Sequence, residues 1–167
     1  MLLKIKALNM NKIKNFYYIL IFILLANCGY KINDQSKLNL FSITDFKITG
    51  DNKINFFVKN KINSKFSKSV SNKPIKILLS TTKDKKIKEK NIKNQITKYE
   101  VDIISEVEII FLNENLIKKF TFKINDDYNV ATSHITTINN KNNSEKRLAD
   151  KLSDEIIKKI TQIINDL

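Results

Sequence analysis

One cysteine, Cys28, leaves no partner for an internal disulfide, so nothing in this 167-residue chain is stapled covalently. The two glycines, Gly29 and Gly50, are too few and too far apart for a phosphate-cradling loop. A single histidine, His134, gives no metal-ligand spacing with cysteine. Ser133 and His134 are sequence neighbours, but a nucleophile and its base also need an orienting acid and a shaped pocket. Glu106 and Glu108 fall on one face of an expected strand and read as solvated surface rather than as a catalytic carboxylate pair. The longest apolar run, Phe16 to Ala26, is half of what a helix needs to cross a hydrocarbon core, about 20 residues. The expectation is a protein that is not an enzyme and takes no cofactor and no metal.

What is present begins at the N-terminus. Lys4, Lys6, Lys12 and Lys14 precede the run FYYILIFILLA, with no acid among them. A positive region, a short apolar region and a cleavage site make a secretory signal peptide, residues 1–27. Met10 is the expected start, because it brings the lysines close to the apolar run. The join LLANCGYK resembles the bacterial lipoprotein signal, in which Leu25, Ala26 and Cys28 match the pattern that ends on a lipidated cysteine. Cys28 is therefore the expected lipidation site and first mature residue. Several acyl chains on it would make the attachment stable, at about 0.8 kcal/mol per buried methylene. The alternatives are a buried free thiol or an uncleaved anchor helix.

Cleavage before Cys28 leaves 140 residues, one domain with a modest core. They carry 26 basic residues against 17 acidic ones, a charge of +9. Such a charge suits an anionic partner: nucleic acid, a membrane surface or an acidic glycolipid. The wealth of Lys, Asn, Ile and Phe and the scarcity of Gly, Pro, Ala and Arg are also what AT-rich codons produce. The charge alone therefore assigns no partner, and export of a lipoprotein argues against nucleic acid.

Residues 28–42 form the lipidated cysteine and a tether, and 43–167 a single domain. Ser42 to Ile48 alternates as a short strand. Gly50-Asp51-Asn52 is a turn and a helix cap. Ile54, Phe57, Val58, Ile62 and Phe66 form one stripe of a helix, broken by Ser69 to Pro74. Ile75, Ile77, Leu79 and Thr81 mark a second strand. Lys83 to Asn94 is a charged connector, either a loop or an extension of the neighbouring strands, and a solvated surface in both cases.

Tyr99, Val101, Ile103, Val107, Ile109 and Phe111 share one parity against Glu100, Asp102, Glu106 and Glu108, a strand with one buried face. Phe120, Phe122 and Ile124 do the same in the next strand, Leu116 to Asn125. Opposite parities require an even loop, a two-residue turn at Glu114-Asn115 or a four-residue loop over the same place, which pairs Ile109 with Phe120, Val107 with Phe122 and Glu106 with Lys123. After a polar stretch with Tyr128, Val130 and Ile135 as packing points, Asn143 or Ser144 caps a final helix with Glu145 in its first turn. Its stripe is Leu148, Leu152, Ile156, Ile160, Ile163 and Leu167, broadened by Ala149, Ile157 and Ile164. The fold class is α+β: two helices on one face of a mostly antiparallel four-stranded sheet, in the order strand, helix, three strands, helix.

The exported region resembles the LptE family of lipopolysaccharide-assembly outer-membrane lipoproteins. CGYK (Cys28 to Lys31), the element order, YNVATS (Tyr128 to Ser133) and RLADKLSDEI (Arg147 to Ile156) carry the resemblance. It implies an outer-membrane lipoprotein on the periplasmic face that plugs an LptD-type barrel, helps assemble it and serves lipopolysaccharide transport. Basic positions suited to anionic glycolipid are Lys98, Lys118, Lys119, Lys123 and Arg147. Arg147 is the one arginine, with a planar fork that fits phosphate or carboxylate. For any one of them an ordinary surface charge is the favoured reading. Other classes compatible with the sequence are an envelope scaffolding lipoprotein and a lipid-anchored auxiliary subunit of a transporter, the latter disfavoured because Gly29, not Asp, follows the cysteine.

Overall fold

A computed structural model describes residues 35–66 and 73–167. The signal peptide, Cys28 and the tether up to residue 34 lie outside the described residues, as does much of the expected helix break at Ser69 to Pro74. A 3-10 turn, Gln35–Leu40, leads into β1 (Phe41–Gly50). Then come α1 (Asn52–Lys65), β2 (Lys73–Lys90), β3 (Ile96–Phe111), β4 (Leu116–Asn129) and α2 (His134–Asp166). The sheet order is β1-β2-β3-β4, with β1 parallel to β2 and the other pairs antiparallel. The α+β class and the element order agree with the sequence. Among the described residues no helix is long and apolar enough to cross a membrane.

Alternation places the core. Ile75, Ile77 and Leu79 of β2 and Val101, Ile103, Val107, Ile109 and Phe111 of β3 are buried under the two helices. Ile54, Val58 and Ile62 of α1 and Leu148, Leu152, Ile156 and Ile160 of α2 face them, all buried. Each such side chain contributes about 1.5–3 kcal/mol of burial. The other sheet face is left open, and in sheet register it carries Leu78, Ser80, Glu106, Glu108, Lys119 and Thr121.

Asp51 caps α1 as expected, its side chain accepting from the Ile54 amide at 2.9 Å. Of the two readings of the charged connector, strand extension is the one found, whereas the start of the final helix differs from expectation. The charged connector is strand: β2 continues to Lys90 and only Asn91–Gln95 turns. It lacks an apolar alternation because its side chains are solvated, and cross-strand pairs hold it instead. Lys86 reaches Asp102 at 2.6 Å, Lys98 reaches Glu89 at 2.9 Å, and Lys85 sits 4.4 Å from the Tyr99 ring centroid.

The final helix starts at His134 rather than at Asn143 or Ser144, so Ser133 is its cap residue. The asparagines of the polar stretch are held from outside the helix. Asn140 donates to the Asn129 carbonyl at 3.0 Å, and Lys53 donates to Asn142 at 2.6 Å. The Thr137 hydroxyl bridges Ala131 and Ser133. Tertiary bonds here override weak helix propensity. Ile135, expected to pack, is mostly exposed, while Tyr128 is buried. At the other end Leu167 is exposed too, one residue past the helix.

The β3–β4 register differs by two residues. Ile109 faces Lys118, Val107 faces Phe120 and Glu106 faces Thr121. The connecting loop is Leu112–Asn115, of even length, so each face keeps its residues. Phe111 thereby meets Leu116, and Tyr99 meets Tyr128 with ring centroids 5.5 Å apart. Asn115 takes the left-handed conformation that closes the loop, at φ 48°, which asparagine tolerates. The Leu112 amide is held by the Pro74 carbonyl at 3.1 Å. The charged cross-strand pair is Glu108 with Lys119, at 2.9 Å, rather than Glu106 with Lys123. Glu108→Lys is expected to cost up to about 1 kcal/mol, with part recovered by adding Lys119→Glu. A denaturation double-mutant cycle checks it; the cycle on Glu106 and Lys123 should show no coupling.

Candidate functional site

The five candidate basic positions do not converge. Arg147, on α2, points its fork at β4: Nη2 lies 2.7 Å and Nε 2.8 Å from Asp126, and Nη2 also donates to the Asp127 carbonyl. It clasps helix to sheet and has its carboxylate already. Lys98 is paired with Glu89 and Lys119 with Glu108. Lys118 and Lys123 have no side-chain partner among the described residues, and their parity on β4 puts them on opposite sheet faces. Lys119 and Lys123 both project from the open face.

That face holds two shallow grooves. One, of about 410 Å³, runs across all four strands between Lys47 and Lys119, lined by Thr49, Leu78, Ser80, Glu106 and Thr121. The other, of about 350 Å³, lies between Lys123, Ile104, Asp102 and Asn125. Leu78, Ile104 and Ile117 are exposed apolar residues of this face. It is a mixed surface of aliphatic, hydroxyl and charged groups. Lys47 was not singled out from sequence; only the parallel β1–β2 pairing brings it level with Leu78.

The strongest electrostatic feature was also missed. Glu145 is only 1% exposed, in the middle of α2. Its carboxylate meets Lys53 of α1 at 2.7 Å and Lys83 of β2 at 3.0 Å, and Lys83 also pairs with the cap residue Asp51. One cluster thus ties both helices to the sheet. Burial opposes ionisation of Glu145, but hydrogen bonds and charge from Lys53 and Lys83 outweigh it and hold the carboxyl below its ordinary range. Asp51 is likewise held down: burial raises it, while the Ile54 amide and Lys83 lower it by more. Burial lowers Lys83, but Asp51 and Glu145 raise it by more.

The signs fix the pH dependence. The depressed carboxylates stabilise fully above their unfolded values and lose that contribution as pH falls through the folded ones. The raised Lys83 acts the other way, contributing below its unfolded value and losing it as pH rises. Stability is expected to drop once pH goes below the ordinary glutamate value of 4.5. Glu145→Gln should lower stability at neutral pH by about 1.5–3 kcal/mol and shallow the acid limb. Denaturant unfolding as a function of pH measures both.

Among the described residues no group of three His, Cys, Asp or Glu side chains is placed to hold a metal. His134 is exposed at the start of α2. Cys28 lies outside the described residues.

Solved structures share this fold. A protein described as a lipoprotein from Caulobacter crescentus CB15 matches with a TM-score of 0.56 at 10% identity, over 79% of this chain and 95% of its own. Rare lipoprotein B from Shewanella oneidensis matches at 0.55 and 10% identity, over 73% and 97%. An uncharacterized lipoprotein B from Nitrosomonas europaea matches at 0.52 and 11% identity, over 82% and 93%. The fold is therefore one that lipoproteins use nearly whole. No protein-family model matches the sequence, and no curated protein matches it.

Proposed function

We propose that this chain is an outer-membrane lipoprotein, anchored through Cys28 on the periplasmic face, that plugs and helps assemble an LptD-type barrel for lipopolysaccharide transport. It performs no catalysis in this reading. The observation that carries the proposal is the combination of the signal ending at Cys28 with a two-layer fold that three lipoprotein structures share over 93–97% of their length. The resemblance of CGYK, YNVATS and the Arg147 helix to the LptE family supplies the rest.

The structure shapes how such a plug works. Helices cover one sheet face, and the open face, with Leu78, Ile104 and Ile117 among paired charges, is the wall-facing surface in this reading. Lys98, Lys119 and Arg147 are matched by carboxylates. Shape, more than free positive charge, is then the contribution to the complex. Glycolipid phosphates are left to Lys118 and Lys123, and charge reversal there should weaken glycolipid binding without dissociating the barrel.

Two measurements test the proposal. Intact mass of the membrane-extracted protein should give residues 28–167 plus acyl modification, and Cys28→Ser should accumulate as precursor. The tagged wild-type protein should co-purify with the barrel. A processed, soluble Cys28→Ser form would refute the anchor. Normal processing without any co-purifying barrel would favour the scaffolding lipoprotein.

A further inference from the structure

Several exposed isoleucines sit at one end of the molecule, remote from where the described chain begins. Phe41, just after the 3-10 turn, pairs with Lys73 at the start of β2. The far end is built from the β2–β3 turn, the end of β4 and the start of α2. The Val130 amide bonds the Thr97 carbonyl, and Asn140 bonds Asn129. Here Ile87 is 51%, Ile135 71% and Ile92 103% exposed.

Ile92 is at the apex, and its turn is firmly framed. The Asn91 side chain accepts from the backbone amides of Lys93 and Gln95, and the Asn91 backbone amide donates to the Gln95 backbone carbonyl. Asn94, in the left-handed conformation at φ 60°, bonds back to Asn91 and receives the Lys90 ammonium. The frame therefore presents an isoleucine outward with nothing beside it to cover it. Scattered exposed aliphatics are common, but this one is ringed by like charge. Residues 88–98 hold Lys88, Lys90, Lys93 and Lys98; Lys88 is paired with Asp127 and Lys98 with Glu89, which leaves Lys90 and Lys93 as the net positive charge of the tip. Lys93 carries no ion pair among the described residues.

We infer that this tip is a reversible contact for an anionic phospholipid surface. Ile92 enters the interfacial layer, and Lys90 and Lys93 meet lipid phosphates. Long lysine stems reach headgroups while an apolar neighbour goes deeper, and cations near an anionic leaflet are attracted within a Debye length. An acidic protein cleft would also answer the charge. A single apolar apex, with its apolar companions spread over a blunt end, suits a soft interface that closes around it. The contact is separate from the open sheet face assigned to the barrel.

The chain contains no tryptophan, so Ile92→Trp installs a single reporter at an exposed site. The full-length variant is reconstituted into phosphatidylcholine vesicles with or without phosphatidylglycerol. With phosphatidylglycerol, emission should shift to the blue and be quenched by brominated acyl chains, both reversing at high salt. Adding Lys90→Glu and Lys93→Glu should abolish the shift while circular dichroism stays unchanged. A solvent-like spectrum in both vesicle types would overturn the inference, as would equal insertion without the anionic lipid. Insertion only when lipopolysaccharide replaces phosphatidylglycerol would assign the tip to glycolipid and also overturn it. A protein that inserts with phosphatidylglycerol yet fails to co-purify with a barrel would keep this contact and lose the proposed function.

Discussion

Leu152→Asp is expected to leave the domain unfolded and to abolish any complex with the barrel. Leu152 has no solvent exposure and stands mid-stripe between Leu148 and Ile156, under the sheet. Arg147, on the same helix, is committed to Asp126, beside β4. An unpaired buried carboxylate costs several kcal/mol, a large share of the 5–15 kcal/mol that a domain of this size has in total. Lys119→Glu with Lys123→Glu should keep the fold, because both side chains lie on the open face. Thermal unfolding of each variant, followed by co-purification, separates loss of fold from loss of contact.

Gly50→Ala should be nearly as damaging, through the backbone. Gly50 has φ +86°, and a Cβ there would lie 2.0 Å from the Thr81 carbonyl oxygen. That oxygen is backbone, and it accepts the Asp51 amide at 2.8 Å. Relief would require moving β2 away from β1 or shifting Asp51, which both caps α1 and pairs with Lys83. The expected loss is about 3 kcal/mol or more. Gly50→Asn distinguishes the two causes: asparagine tolerates positive φ, so strain alone would be relieved, whereas the overlap with Thr81 persists. Comparable loss in both variants, read by denaturant unfolding, is the expected outcome.

The parts legible in the sequence were those where one face is dry. Val101, Ile103, Val107, Ile109 and Phe111 and the stripe from Leu148 to Ile160 are buried on one face of their elements, and period alone shows it. Asp51 was legible because a cap needs only its own side chain and the next turn. The remainder depended on distant residues. The strand character of Lys83 to Lys90 rests on partners on other strands, such as Asp102 and Asp127. The first ten residues of α2 rest on Asn129, Ala131 and Lys53, none of which a local reading weighs. Parity fixed the faces of the β3–β4 hairpin but cannot choose between registers two residues apart; the Leu112 bond to Pro74 and the Tyr99–Tyr128 contact belong to the observed one.

The same holds for the candidate site. Lysine and arginine positions could be read as cations, but their pairing with Glu89, Glu108 and Asp126 is a property of the folded sheet. Glu145 read as a helix-start acid and is a buried tie between both helices and β2. Its ion pair to Lys83 spans 62 positions in sequence, so no local pattern announces it. The tip around Ile92 looked like a solvated charge run. Its apex isoleucine gains meaning only from the asparagine frame that fixes it outward.

The central claim is that this chain completes a lipopolysaccharide barrel, and depleting it in its own cell is the most direct test. Surface lipopolysaccharide and the mature form of the barrel would be followed as the protein is lost. The account predicts that both fall together, with increased sensitivity to large hydrophobic antibiotics, and that the wild-type chain restores them while Leu152→Asp does not. Normal barrel maturation and normal surface lipopolysaccharide after complete depletion would contradict it.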